Sequence, residues 1–448
     1  MGVAPCSGHP GRHACTAQRH AEQRSRRASS IERGERDNAA SASVYAIKAS
    51  PCRSAGRCVM HDHQCSLPAD AAPNSPRFHE RSAMFGAVSE EFPHMRKGIA
   101  LIVGVTGISG YNLANVLVAD GWTVYGLARR PLPQDGVIPV AADLLDADST
   151  AKALRGLPIT HVFFCTWTRR DTERENVEAN GAMMRHLCDA LSDAPLQHMA
   201  LVTGTKHYLG AFENYGSGKA ETPFRESEPR QQGENFYYTL EDLLFAHAER
   251  HGFGWSVHRS HTMIGMANGS NAMNMGVTLA VYASLCKHTG QPFVFPGSQA
   301  QWNSLTDLTD AGLLGRQLAW AGLSPAARNQ AFNTVNGDVF RWRWMWGEIA
   351  AFFELDTAPC PDTPQPLEAR LTGTAPALWA ELAAKHDLVE ADVNRLASWW
   401  HTDADLGREI ECVNDMTKSR ELGFVDFYDS RASFFELFTR LRALRIIP

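Results

Sequence analysis

A lysine and two adjacent tyrosines are the residues of this chain whose types suit proton donation to a carbonyl oxygen. Lys206 lies in the segment TGTKHY, and Tyr237 and Tyr238 lie in NFYYTLED. Reductases that pair a tyrosine with a lysine usually carry the lysine four residues later, because that spacing puts both side chains on one helix face. Here Glu241 and Asp242 occupy those positions. Taken singly, the three residues would be an exposed turn lysine and two packing aromatics at a helix start.

A glycine-rich turn earlier in the chain could hold a phosphate. Gly104, Gly107 and Gly110 recur every three residues in GVTGISG, between an apolar run and a segment of helical periodicity. Without a Cβ atom, glycine lets backbone N–H groups and a helix N-terminus approach a pyrophosphate. This setting predicts a dinucleotide site rather than a plain tight turn.

Two arginines distinguish between the possible dinucleotides. An NAD site normally has an acid after the second strand, where it binds the ribose hydroxyls. This chain has Arg129 and Arg130 there, and guanidinium groups bind a 2′-phosphate through charge-assisted hydrogen bonds. The alternative is a pair of solvated surface arginines. We therefore expect NADP as the cofactor, with Asp143 at the end of a third strand meeting its adenine side.

Alternating strands and helices must position these residues. The apolar runs that predict strands are IALIV, a run from near Thr123, VIPVAAD, HVFFCT, HMALVTG and WSVHRS, with helices between them. This alternation predicts an α/β fold of the Rossmann type, with a doubly wound parallel sheet. Lys206 follows HMALVTG and so lies at the carboxyl end of a strand, where the active sites of open α/β sheets collect.

The composition excludes several classes of protein. The chain has 448 residues, 44% of them hydrophobic, and a formal net charge of −6. Such a chain can bury a large core, which excludes a small disulfide-stapled scaffold, and it has no basic field for nucleic acid. No apolar stretch reaches the roughly 20 residues that span a membrane. Single scattered cysteines in the later part of the chain favour a reducing compartment, so we expect a cytoplasmic protein.

The chain is predicted to have three parts. Residues 1–95 are rich in Arg, Ser, Ala, His and Pro without hydrophobic periodicity, which predicts a disordered extension or a translation start assigned too early. Residues 96–265 are the predicted dinucleotide-binding domain, and residues 266–448 are the predicted, mainly helical region that binds and covers the substrate. The first part holds cysteines and histidines whose spacing fits no common zinc pattern, so we expect no metal there: Cys52, Cys58, His61, His63 and Cys65.

Eight blocks of sequence, in order, resemble one enzyme family. They are GVTGISG, ARRP, THVFFCTW, TGTKHYLGAFENYG, NFYYTLED, WSVHRS, NGDVFRWRWMW and LRIIP. Together they resemble the progesterone 5β-reductase and iridoid synthase-like (PRISE) enzymes, which are atypical short-chain dehydrogenases/reductases, from about Ala100 to Pro448. The resemblance implies NADPH-dependent reduction of the C=C bond of a small-molecule α,β-unsaturated carbonyl compound. It also implies that Lys206 and the first tyrosine, Tyr237, are catalytic, and it suggests a homodimer.

The chemistry implied by this resemblance explains why the usual lysine spacing is dispensable. In a 1,4-reduction, hydride goes to the β-carbon and negative charge develops on the carbonyl oxygen, so the site needs a donor aimed at that oxygen. We hypothesise that Tyr237 is that donor and that Lys206 keeps the local field positive. The alternatives are an extended short-chain carbonyl reductase or sugar-nucleotide epimerase, which would carry the lysine four residues after the tyrosine, and a non-catalytic NADP sensor, which would have lost the pair.

Strand ends and the resemblance together give the candidate binding residues. The cofactor set is Gly104, Thr106, Gly107, Ile108, Gly110, Arg129, Arg130, Asp143, Leu144, Thr166, Trp167, Tyr237 and Met263. The substrate set is Trp167, Tyr208, Phe212, Met273 and His401. His401 stands where plant members carry phenylalanine, and Ser260, His261 and Thr262 replace a Pro-Gly-Asn turn. His401 could donate to a substrate carbonyl, and a rim histidine without a chemical role is the alternative.

Overall fold

Seven parallel strands form the central sheet of the protein. The computed structural model describes residues 98–210, 221–269 and 273–448. The strands of the sheet are β1 (Ile99–Val103), β2 (Thr123–Ala128), β3 (Val137–Ala141), β4 (His161–Phe164), β5 (His198–Gly204), β6 (Gly254–Ser260) and β9 (Gln330–Thr334), in the order β3-β2-β1-β4-β5-β6-β9. A second, two-stranded parallel pair is formed by β7 (Met263–Ile264) and β8 (Thr309–Asp310).

Helices lie on both faces of the sheet and form most of the C-terminal part. They are α1 (Ile108–Ala119), α2 (Ala147–Leu154), α3 (Glu173–Ala190), α4 (Lys206–Leu209), α5 (Phe236–His251), α6 (Met275–Thr289), α7 (Gln299–Asn303), α8 (Ala311–Leu323), α9 (Trp342–Phe353), α10 (Leu367–Leu371), α11 (Ala375–His386), α12 (Trp399–Leu406), α13 (Thr417–Glu421) and α14 (Ser430–Ala443). Short 3₁₀ turns cover Pro325–Ala327 and Val393–Arg395.

The apolar run of β1 is buried on both faces of the sheet, which explains why it reads as continuous rather than alternating. Leu101 and Val103 pack into the cluster that contains residues of α3 and α5. Ala100 and Ile102 pack into the opposite cluster, which contains residues of α1 and α8. Successive strand residues point to opposite faces, so β1 joins both halves of the core.

The predicted Rossmann-type sheet is confirmed, and one strand of it was not predicted. The six predicted strands are present, and β2 begins at Thr123 as expected. The missed strand, β9, pairs with β6 at the edge of the sheet. Its sequence QAFNT contains three polar residues and buries Asn333 and Thr334 completely, so it lacks the apolar run by which the other strands were recognised.

The C-terminal helices share one large hydrophobic cluster, as the prediction of a mainly helical region requires. Trp346 of α9 and Trp379 of α11 are completely buried in it, together with residues of α6, α12 and α14. The predicted boundary at residue 265 stays a prediction. The segment expected to be disordered, residues 1–95, lies outside the described residues. Within the described residues, none of the helices combines the length and the hydropathy that crossing a bilayer requires.

Candidate active site

The carboxyl ends of β4, β5 and β6 open into a cavity of about 860 Å³. Such a position is where ligands bind in open α/β sheets. Predicted residues of all three kinds, catalytic, cofactor-binding and substrate-binding, line this one cavity: Gly107, Ile108, Thr166, Trp167, Lys206, Tyr237, Met263, Met273 and His401. Residues separated by almost 300 positions in the sequence are therefore brought together.

β5 ends at Gly204. Lys206 follows two residues later and is the first residue of the short helix α4. It is not an exposed turn lysine, because only 2% of it is accessible to solvent. Its Nζ lies 2.5 Å from Oε2 of Glu173, 4.5 Å from the ring centre of Phe236 and 6.0 Å from that of Tyr237. The cation is thus held between a carboxylate and the start of the tyrosine helix.

Tyr237 is positioned by the start of α5. Asn235 is the N-cap of this helix, and its Oδ1 accepts a hydrogen bond from the Tyr237 N–H at 3.0 Å. The same side chain donates from Nδ2 to the Lys206 carbonyl oxygen at 3.1 Å. A capping residue satisfies the first free N–H groups of a helix. Here it also connects the start of α5, which carries Tyr237, to the start of α4, which carries Lys206.

The two adjacent tyrosines have different environments. Tyr238 is buried, donates from its hydroxyl to the His207 carbonyl oxygen at 2.6 Å and accepts from the Gln231 N–H at 2.9 Å. It is absent from the cavity lining, whereas Tyr237 is part of it. The packing interpretation therefore fits Tyr238, and the chemical interpretation fits Tyr237.

The glycine turn between β1 and α1 has the close packing that a dinucleotide site needs. Gly104 has a φ of +89°, which favours glycine. A Cβ atom on Gly110 would lie 2.4 Å from the Gly104 carbonyl oxygen, so strand and helix meet without room for a side chain. The Gly107 N–H donates to the Gly104 carbonyl oxygen at 3.0 Å. The backbone at the N-terminus of α1 can therefore approach a phosphate closely.

A second cavity, of about 870 Å³, continues the dinucleotide site at the ends of β2 and β3. Thr106, Arg129, Arg130 and Asp143 line it, and their binding of a 2′-phosphate and an adenine stays a prediction. Both arginines are exposed and line this cavity together with Thr106 of the glycine turn. Leu144 is buried directly beside this cavity without being part of its lining. The donor types and the tight turn fit a phosphorylated dinucleotide.

Ionisable residues of α12 and the segment after it form another wall of the first cavity. Asp405 pairs with Arg408 and accepts from the Thr262 hydroxyl at 3.0 Å. Arg408 Nη1 lies 2.7 Å from His261 Nε2, and His261 Nδ1 lies 2.7 Å from Oδ1 of Asp307. A guanidinium can only donate hydrogen bonds, so Nε2 accepts and Nδ1–H donates to Asp307.

Two of the predicted substrate residues border the cavity from the C-terminal part. His401 is partly buried, and burial lowers its pKa below the usual value, which favours a neutral ring near pH 7. Met273 is 38% exposed at the rim. On the remaining side, Trp167 is stacked on Phe236, with ring centres 5.4 Å apart.

Of the other two predicted substrate residues, Tyr208 alone lies in the described part of the chain. Tyr208 is turned into the protein interior, where it is 3% exposed and stacked on Phe224 with ring centres 4.9 Å apart. Its hydroxyl donates to Asn333 Oδ1 at 2.6 Å. These contacts direct the ring away from the lining of the cavity, and a role of Tyr208 towards the substrate stays a prediction. Phe212 lies outside the described residues.

The sequence analysis missed several residues of the site. Asn235 carries a recognisable signal, since an asparagine directly before an aromatic helix start is a typical N-cap. Glu173 carries none, because an acid in the first turn of a helix is usually a solvated residue that offsets the helix dipole. Asp405 and Arg408 lie in a C-terminal segment without a recognisable motif, and only the fold brings them to the cavity.

Comparison with known proteins finds a matching family and several relatives of this chain. The model of the PRISE-like Rossmann-fold domain matches residues 141–448. The chain is 39% identical over 372 residues to (S)-8-oxocitronellyl enol synthase ISY1 of Nepeta cataria, covering 80% of this chain and 95% of the relative. It is 38% identical over 365 residues to 3-oxo-Δ4,5-steroid 5β-reductase of Arabidopsis thaliana, covering 79% and 94%.

Solved structures show the same fold at much greater sequence distance. UDP-glucose 4-epimerase of Thermotoga maritima, solved with UDP-glucose, has a TM-score of 0.56 at 11% identity, covering 77% of this chain and 98% of that chain. WbmH of Bordetella bronchiseptica, solved with NAD+, has a TM-score of 0.54 at 13% identity over 77% of this chain and 98% of that one. These similarities establish the Rossmann-type fold alone. The family match and the relatives at nearly 40% identity show that this chain belongs to the PRISE-like Rossmann-fold family.

Proposed function

We propose that this protein reduces the C=C bond of α,β-unsaturated carbonyl compounds with NADPH. The observation that carries this proposal is that Tyr237 and Lys206 line one cavity with the glycine turn, although they come from different elements. The names of the relatives agree with this chemistry. One is named for forming an enol and the other for reducing a 3-oxo-Δ4,5 steroid at carbon 5.

The dinucleotide is held by residues of two adjacent cavities. The turn with Gly104, Gly107 and Gly110 takes the pyrophosphate, since the backbone there has no side chains in the way. Arg129 and Arg130 bind the 2′-phosphate, which supports NADPH rather than NADH. When bound, the dinucleotide supplies the hydride. Asp143, Thr166 and Met263 border it at positions further along the two cavities.

Tyr237 stabilises the charge that develops on the substrate. As the β-carbon becomes saturated, negative charge moves to the carbonyl oxygen, and a preorganised hydroxyl donor there stabilises the enolate. The position of Tyr237 is preorganised by Asn235 and by Gly204, against which its hydroxyl lies. Lys206 supplies a nearby positive charge. A proton from solvent then completes the α-carbon.

The substrate lies between Trp167, Met273 and His401 in this proposal. These residues line the same cavity as Tyr237 and come from both parts of the chain. The wall is mixed in character, with a flexible methionine, an aromatic face and a neutral imidazole. Discrimination by apolar contacts alone is modest, about 10- to 200-fold per methylene, so we expect activity towards several enones.

We also propose a cytoplasmic location and a homodimer. Free cysteines in the described part of the chain support a reducing compartment: Cys165, Cys188, Cys286, Cys360 and Cys412. The dimer is supported by the family resemblance. Light scattering on the purified full-length chain tests it.

Product analysis tests the proposed reaction. The full-length chain is incubated with NADPH and 2-cyclohexen-1-one or an unsaturated aldehyde, and separately with each saturated carbonyl counterpart. We expect NADPH oxidation with the unsaturated compounds only, yielding saturated carbonyl products by mass and proton spectra, with label from deuterated NADPH at the β-carbon. Alcohols formed from the saturated carbonyls would instead establish a carbonyl reductase. Tight NADPH binding without turnover of any compound would support a sensor.

A further inference from the structure

Glu173 is a buried acid at the start of a surface helix. It is the first residue of α3, whose N-cap is Thr172, and the capping box of this helix uses Glu175 rather than Glu173. Only 6% of Glu173 is exposed, whereas Arg174 and Glu178 on the same helix are mostly exposed. A buried carboxylate is unfavourable unless it is paired and hydrogen-bonded. Its partners therefore indicate why it is there.

Each carboxylate oxygen of Glu173 binds a different element of the active site. Oε2 lies 2.5 Å from Nζ of Lys206, on the turn after β5. Oε1 accepts a hydrogen bond at 2.8 Å from the N–H of Phe236, the first residue of α5. Phe236 directly precedes Tyr237. The Glu173 side chain therefore links Lys206 to the start of α5, where Tyr237 lies.

A lysine on the tyrosine's own helix would need no such link. When the two residues are four apart on one helix, the backbone fixes their relative position. Here Lys206 and Tyr237 lie on separate elements, so side chains must set their distance. Glu173 itself is not part of the cavity lining, and any effect on the reaction passes through the residues it holds.

We propose that Glu173 is a positioning residue that holds Lys206 charged and in place beside the Tyr237 helix. The proposal rests on the proposed function for its effect on turnover. The carboxylate provides the counter-charge for the buried ammonium and anchors the first N–H of α5. Asn235 makes a parallel connection through the Lys206 carbonyl oxygen, so the lysine is held at both its backbone and its side chain.

The substitution Glu173→Gln tests this with little change in shape. The amide oxygen can still accept from the Phe236 N–H, but the negative charge opposite Lys206 is lost. The matched control is Glu178→Gln, an exposed acid on the same helix. The first readout is the pKa of Lys206, measured by NMR of 13Cε-lysine in the full-length chain, which has eight lysines; Lys206→Met assigns the signal.

We expect Glu173→Gln to lower the pKa of Lys206 by at least one unit and Glu178→Gln to leave it unchanged. Loss of a nearby opposite charge disfavours the ammonium form. This readout does not depend on turnover, so it stays informative even if no enone is reduced. An unchanged pKa of Lys206 in Glu173→Gln would overturn the proposal.

Turnover gives the second readout. With an enone that the wild type reduces, we expect Glu173→Gln to lower kcat at least tenfold at pH 9, with a smaller loss at pH 7 and little change in KM for NADPH. In a Lys206→Met background the same substitution should change kcat less than twofold. Equal losses in both backgrounds would mean that Glu173 acts independently of Lys206, which contradicts the proposal.

The variant Glu173→Asp covers the case in which the glutamine variant does not fold. Aspartate keeps the charge but is one methylene shorter and cannot reach both partners. We expect the pKa of Lys206 to stay within about half a unit of the wild-type value, while kcat falls severalfold. Wild-type kcat in this variant would show that the position of the carboxylate is unimportant and would overturn the positioning role.

Discussion

Tyr237 lies directly against Gly204 at the carboxyl end of β5. A Cβ atom on Gly204 would come within 3.3 Å of the Tyr237 hydroxyl oxygen and within 2.9 Å of the Ser260 carbonyl oxygen. A side chain at residue 204 would therefore crowd both the tyrosine hydroxyl and the backbone of β6. The proposed donor hydroxyl and this strand end therefore lie close together.

The substitution Gly204→Ala is expected to displace the Tyr237 hydroxyl and reduce kcat by about tenfold or more, since misplacing a reacting group by about 1 Å can cost about 100-fold. Steady-state kinetics with an enone measures this. Gly347→Ala is the control, because nothing lies within 4 Å of a Cβ atom there and the position is inside α9. That variant should keep wild-type kcat and gain about 0.5–1 kcal/mol of stability. Wild-type kcat in Gly204→Ala would contradict the assigned position of the hydroxyl.

Removing the hydroxyl of each tyrosine should have opposite consequences. We expect Tyr237→Phe to lower kcat by about 100- to 1000-fold, the usual loss for one donor to a developing oxyanion, without a loss of stability. Tyr238→Phe should leave kcat nearly unchanged but lower the free energy of unfolding by about 1 kcal/mol or more, because the His207 carbonyl oxygen loses its donor. Kinetics and urea denaturation separate the two effects. A Tyr237→Phe variant within threefold of wild-type kcat would rule out the proposed donor.

Removal of both arginines at the end of β2 should change the choice of cofactor. For Arg129→Ala/Arg130→Ala we expect KM for NADPH to rise by about 10- to 100-fold, since a hydrogen bond to a charged group contributes about 1.5–3 kcal/mol. KM for NADH should stay nearly constant, because NADH has no 2′-phosphate. Arg155→Ala, an exposed arginine at the end of α2, serves as the charge control. Parallel losses with both dinucleotides would show that the arginines do not read the 2′-phosphate.

Acid should destabilise the protein through histidines buried in the sheet. His198 and His258 both lie within 2.9 Å of the Ser256 hydroxyl. Burial lowers the pKa of His198 to about 3 and that of His258 to about 4. The unfolded chain binds these protons near pH 6.5 and the folded chain does not, so stability is complete above about pH 7 and decreases as the pH falls below 6.5.

At pH 5 each of these histidines should cost up to about 2 kcal/mol relative to pH 7.5, at 1.36 kcal/mol per pKa unit. Urea denaturation at both pH values measures the difference. His198→Gln should reduce the pH dependence even though it weakens the sheet, and His386→Gln, at an exposed position in the last turn of α11, should not. The same pH dependence in wild type and His198→Gln would contradict this account.

Local patterns predicted the fold and the chemistry better than they predicted the walls of the site. The glycine turn, Arg129 and Arg130 lie beside predicted strand ends, where the topology fixes what a residue meets. Tyr208 follows a strand end too, yet a one-turn helix directs its ring inward to Asn333. That partner belongs to β9, the polar strand that the hydrophobic pattern did not reveal. A contact between distant segments has no local signal in the sequence.

The lysine–tyrosine pair could be predicted from sequence motifs, whereas the contacts of Glu173 could not. Lys206 and Tyr237 were identified because their motifs resemble those of a family. The same resemblance implies that the two residues act together. Glu173 looks like any acid at a helix start. Its inward orientation depends on where α3 packs against α5, which is a property of the assembled core.

Because Lys206 lies after β5, at the start of α4, the position four residues after Tyr237 can hold another residue, and in this chain it is Glu241. That carboxylate is 2% exposed and lies within 3.6 Å of nitrogens of Arg230, Arg259 and His207. A lysine introduced there would put a third cation among two arginines and remove their shared counter-ion. The conventional arrangement would therefore need compensating changes at the arginines as well as the lysine itself. The ion cluster around Glu241 therefore excludes the conventional lysine position from this helix face.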